Sequence, residues 1–195
     1  MCSIGLGGGG CASPRVRLQD PPRQDWFVSE TSVRLSPPGG RPRPGWTSSQ
    51  AAQVDPMQVP YFVIPNRFRQ PPWDATPGDA GVIVDASSGR SVPFVVGDIG
   101  GALDEASAAA HARLRGTATP PKTQRTSALG ETVDSFRAGL TGDFRVAIFR
   151  HTSRRQGSSL TLDLTAAQLS PWIDTTVESR LQAIGGLDRV RACSG

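Results

Sequence analysis

Residues 81–84 (GVIV) and 92–96 (VPFVV) are short apolar runs rich in β-branched side chains, separated by the polar stretch DASSGR at 85–90. Runs of this length flanking a Gly-containing turn form a β-hairpin. Their near-continuous apolar character places both strands in the middle of a sheet, buried, since an edge strand with one wet face would alternate. The second run leads through Gly97, Asp98, Gly100 and Gly101 into the Ala-rich segment 103–114, which has neither Gly nor Pro and predicts a helix. A strand that passes through a Gly-rich turn into a helix start holds Asp98, Asp104 and Glu105 at fixed points beside a rigid scaffold.

The rest of the chain supplies further short elements. Segment 26–35 (WFVSETSVRL) reads as an edge strand, 61–64 (YFVI) as a buried strand stopped by Pro65, 144–149 as a strand, and 160–164 (LTLDL) as a strictly alternating one. Leu129, Val133, Phe136 and Leu140 follow helical spacing, so 127–140 predicts a weak helix. Ser170-Pro171 predicts a helix start, with Ile173, Val177, Leu181 and Ile184 on one face and Gly185-Gly186 at its end. Segment 1–24, with its Gly7–Gly10 run and few apolar residues, predicts disorder. The expected architecture is mainly β with flanking helices (α+β). It is one domain over 25–195, a small six-stranded type of β-barrel with two or three helices.

Composition narrows the function. At 37% hydrophobic residues with 22 Gly and 17 Pro, a loop-rich β protein fits better than a helical bundle. No apolar run reaches the roughly 18 residues of a membrane-spanning helix. Among 21 basic residues only Lys122 is lysine, and the arginines form no block interleaved with aromatics, so neither they nor the net charge of +4 indicates a nucleic-acid surface. Cys2, Cys11 and Cys193 form no CxxC, and His111 and His151 are isolated, which argues against a zinc site and against any cofactor. These cysteines are free thiols, or Cys11 and Cys193 form a clamp in an oxidising compartment. The N-terminus lacks the basic leader and apolar core of a signal peptide. Gly-Gly-Cys11-Ala nevertheless resembles the end of a lipoprotein signal whose start lies upstream.

Two carboxylates are the chemistry the sequence offers most clearly. Asp98 at a strand end and Glu105 in the first helical turn face one cleft if the turn between them doubles back. Glycoside hydrolysis uses such a pair, one acid protonating the leaving oxygen and the other activating water or attacking the sugar. The alternative is ordinary: Asp98 shapes the turn, while Asp104 and Glu105 favour the positive end of a helix dipole. Ser107 and His111, four apart on one helix face, lack a third group that would make them a nucleophile and base. Asp79 and Asp85 bracket the first hairpin strand and read as turn-shaping residues, Asp79 being also a candidate substrate contact.

The order YFVIP, Gly78-Asp79, the hairpin ending in Gly97-Asp98-Ile99-Gly100, and then Glu105-Ala106-Ser107 resembles the chitosanases of glycoside hydrolase family 75 and their bacterial relatives. The likeness spans 26–193 and is distinctive in the central third. This sequence departs from the family in a shorter segment between Asp98 and Glu105, and in Asp104 where the family has Gly. The resemblance implies an endo-acting, inverting hydrolase of β-1,4-linked glucosamine polymers, secreted or associated with the cell envelope, and monomeric. Glu105 would be its general acid and Asp98 the base that activates water, or the two roles are swapped. Trp73, Trp46, Asp79 and Asp104 are the expected substrate contacts, with Tyr61 better suited to the core. A chitosan chain is a polycation, so a protein of net charge +4 gains nothing from long-range steering. A non-catalytic β-barrel module that binds a cell-wall glycan is the second expectation.

Overall fold

The computed structural model describes residues 52–100, 103, 105–118, 142–154 and 161–192, and the backbone of 16–18, 25–27, 34–35, 123–126, 132–136 and 140–141. In chain order its strands are β1 (Val16–Leu18), β2 (Asp25–Phe27), β3 (Arg34–Leu35), β4 (Tyr61–Pro65), β5 (Ala80–Asp85), β6 (Ser91–Gly100), β7 (Thr123–Thr126), β8 (Thr132–Phe136), β9 (Leu140–Phe149) and β10 (Thr161–Leu162). The helices are α1 (Ala108–Arg115), α2 (Ala166–Ile184) and α3 (Leu187–Arg191). The fold is α+β, built on a curled sheet that forms a half-barrel.

The main sheet runs β1-β9-β5-β6-β4. Its centre is the β5–β6 hairpin, with Ile83 opposite Val92 and Val84 opposite Ser91. Asp85 shapes the turn, accepting the Ser87 N–H and the Ser88 hydroxyl, and Gly89 takes a positive φ of 73°. Both faces of the sheet are covered, which is why these strands read as unbroken apolar runs. On one face Tyr61, Val63, Val82, Val84, Val95 and Phe149 pack beneath Leu169, Ile173 and Val177 of α2 and Val190 of α3. On the other, Phe62, Ile64, Ile83, Phe94, Val96 and Val146 pack with Phe68 and with Ala110 and Leu114 of α1.

Four expectations change. The helix expected over 103–114 begins at Ala108, because Ala106 bridges to Phe62 on the free edge of β4 and Ser107 caps the helix, its side chain accepting the Ala110 N–H. Segment 127–140 contains β8 instead of a helix. Thr132, Val133 and Phe136 suit a strand, and β8 finds partners on both sides in β2 and β7. The helix expected from Ser170-Pro171 starts at Ala166, where the Gln168 side chain accepts the Thr165 N–H, so Pro171 falls inside it. The edge strand expected over 26–35 is two short strands in separate sheets, β2 with β8 and β3 with β10. From the segment 1–24, β1 pairs antiparallel with β9. The remainder of that segment, and all three cysteines, lie outside the described residues.

Candidate active site

The site is built by one irregularity in β6. Along β4 and β6, which run parallel, Tyr61 faces Val95 and Phe62 faces Val96, but Val63 faces Asp98. Gly97 is the extra residue of a β-bulge. Side chains alternate along a strand, so without the bulge Asp98 would follow Val92, Phe94 and Val96 onto their face. The inserted Gly97 instead turns Asp98 to the face of Tyr61 and Val63.

The chain then crosses the end of β4 and returns along its outer edge. The Val63 N–H donates to the Glu105 carbonyl at 3.0 Å, and the Ser107 N–H donates to the Tyr61 carbonyl at 2.9 Å, flanking the Phe62–Ala106 bridge. Asp98, Val63 and Glu105 therefore occupy one cross-strand row and point to one face. Two strand spacings set their Cα atoms roughly 10 Å apart. Glu105 leans inward over Val63, its Oε2 standing 3.2 Å from where a Cβ on Gly100 would sit. Gly100 is two residues beyond Asp98 on the same face, about 7 Å along the strand. Only a residue without a side chain leaves that space to Glu105, since the same Cβ would also come within 2.8 Å of Val63.

On the same face of β4, two residues before Val63, lies Tyr61. Its ring covers Gly97 so closely that a Cβ there would be 2.7 Å from Tyr61 Cγ, and the residue is 5% exposed. Burial, reinforced by the negative charges of Asp98, Glu105 and Asp55, pushes its phenol far above the ordinary range, so it stays a neutral hydroxyl. Asp98 is half-buried and its Oδ1 accepts the Ile99 N–H at 2.8 Å, while Glu105 is exposed. Among the described residues no three of His, Cys, Asp and Glu converge as metal ligands would.

The other expected site residues lie elsewhere. Asp79 is fully buried. Its Oδ1 accepts the Thr152 and Ser153 N–H groups, each at 3.0 Å, and its Oδ2 accepts the Thr76 N–H at 2.9 Å. It ties two loops together and shows no surface to a substrate. Burial raises its pKa against the opposing effect of those hydrogen bonds. Trp73 stacks edge-on against Phe68, ring centroids 5.2 Å apart, beside the cluster on the face opposite Asp98 and Glu105. Trp46 and Asp104 lie outside the described residues.

Ser107 is not a nucleophile. Its Oγ donates to the Val59 carbonyl and accepts the Tyr61 and Ala110 N–H groups. His111 is 2% exposed, and among the described residues no group pairs with its Nδ1. The place of Tyr61 over Gly97, beside the bulge that turns Asp98, is not legible in the sequence. Its one available signal was that Tyr61 and Val63 share a strand face, and that becomes informative only once β4 is known to pair with β6.

No protein-family model matches the chain, and no curated protein matches it significantly.

Proposed function

We propose that the chain is a glycoside hydrolase of chitosanase type, cleaving β-1,4-linked glucosamine polymers within the chain and with inversion. Glu105, exposed and reaching inward over Val63, is the general acid that protonates the glycosidic oxygen. Asp98, fixed by the bulge and by its hydrogen bond from the Ile99 N–H, is the base that takes a proton from the attacking water. The observation that carries this reading is the shared cross-strand row of Asp98, Val63 and Glu105. Inverting pairs stand about 6.5–9.5 Å apart to admit a water, and two acids separated by one intervening strand suit that spacing. Ser107 caps α1, so Glu105 is not needed for that role.

The test is release of oligosaccharides from chitosan, with the anomeric configuration of the first product read by NMR. Wild type is expected to release products of inverted configuration. Asp98→Asn and Glu105→Gln should each lower the rate by about 10²–10⁴-fold while the fold is retained. No release by wild type from chitosan or peptidoglycan would overturn the proposal. It would favour the second reading, a non-catalytic module that binds a cell-wall glycan, for which the partly exposed Trp73 offers an aromatic surface away from the acids.

A further inference from the structure

The start of β6 runs past the end of β4. Tyr61 is the first β4 residue paired with β6, opposite Val95, so Pro93 has β5 on one side and no described strand on the other. Two residues before Val95, Pro93 shares its face, the one that α2 and α3 cover. That cover is incomplete here. Gly185 and Gly186, with φ of 92° and 87°, end α2 and swing the chain round, the Gly186 N–H donating to the Leu181 carbonyl at 2.7 Å. Leu187 then opens α3 on the far side of the turn. Among the described residues nothing stands within 4 Å of where a Cβ on Gly186 would sit. The result is an open groove of about 480 Å³ with Pro93, Val177, Leu181 and Leu187 in its lining.

The same groove is lined by two acids, Asp174 and Glu178. Four residues apart, they lie on one side of α2, both exposed. Neither has an ion pair or hydrogen bond among the described residues, in a chain where basic residues outnumber acidic ones 21 to 17. By contrast Asp143 pairs with Arg145, and Asp188 with Arg191. Two like charges at this spacing add nothing to the helix that carries them. An apolar lining with a few polar groups to one side is the usual make-up of a small-molecule site, and the volume is of that size.

We propose that this groove binds a small organic cation, with an ammonium group held by Asp174 and Glu178 and an apolar body laid against Pro93, Val177, Leu181 and Leu187. Pro93 is five residues before Asp98 along β6, roughly 15 Å, so the groove is a second site and does not depend on the pair Asp98 and Glu105.

The test is an amide NMR titration of the full-length protein with the n-hexylammonium ion at neutral pH and low salt. Saturable shifts are expected at Val177, Leu181 and Leu187. Hexanoate, with the same body and the opposite charge, and methylammonium, with the charge and almost no body, should each bind at least about tenfold more weakly. The double variant Asp174→Asn, Glu178→Gln replaces two exposed groups by others of the same shape. Its spectrum should stay that of the folded protein while hexylammonium affinity falls about tenfold. Equal binding of hexanoate, equal binding of methylammonium, undiminished affinity in the double variant or shifts that never saturate would each overturn the proposal. None of these readings involves chitosan, so they stand apart from whether it is cleaved.

Discussion

At Gly97 a methyl group would stand 2.7–2.9 Å from three atoms of Tyr61, a ring with almost no free surface. Gly97→Ala must therefore move either the ring or the bulge. Overpacking of this kind costs about 1–3 kcal/mol, measurable by urea unfolding, and chitosan cleavage should fall further than the stability loss explains because Asp98 is displaced. Single residues were unevenly legible in the sequence. The two acids were visible because a carboxylate after a strand and another after a Gly-rich turn form a local pattern. Asp79 resembled them in composition and turned out to bind loops, because the backbone donors that occupy it lie 73 and 74 residues away at Thr152 and Ser153. The side on which Trp73 packs was likewise decided by Phe68 and the sheet behind it, not by its own neighbours in the chain.

Elements were legible where their cause is local. The β5–β6 hairpin, with its turn set by Asp85 and Gly89, and the end of α2 at Gly185 follow from nearby residues. They failed where a distant partner decides. Segment 105–107 has helical composition, yet the outer edge of β4 holds it extended through a single bridge at Ala106, and β8 overrides a helical spacing through β2 and β7. The junction between strand and helix is Ser107, which joins three elements through one buried oxygen. Ser107→Ala leaves the Tyr61 N–H and the Val59 carbonyl without their partner and removes the cap of α1. We expect a loss of about 2–4 kcal/mol by denaturant titration, with α1 and the 105–107 edge showing the largest rise in amide hydrogen exchange. A helix start of ordinary capping strength would lose only ~1 kcal/mol.

For the molecule as a whole, His111, buried on α1, makes stability sensitive to acid. Burial, with the positive charge of Arg115 adding to it, lowers the pKa of His111 to about 4, whereas in the unfolded chain it titrates near its ordinary 6.5. Between those values the unfolded chain binds more protons, so stability is full above pH 6.5 and falls as the pH drops toward 4. The loss approaches about 3 kcal/mol and is read from urea midpoints across this range. His111→Leu should flatten that part of the profile, and an unaltered slope in the variant would assign it to the carboxylates instead.

The strand lying between the two acids fixes more than their distance. Carboxylates on neighbouring strands would stand near the ~5 Å of a pair that attacks the sugar directly and retains its configuration, whereas skipping one strand opens a gap for solvent. Here the skipped strand is β4, hydrogen-bonded on both sides by its parallel ladder to β6 and by residues 105–107. Stereochemistry would thus be written into chain connectivity. Bringing the two acids onto neighbouring strands would take the removal of a whole ribbon of backbone.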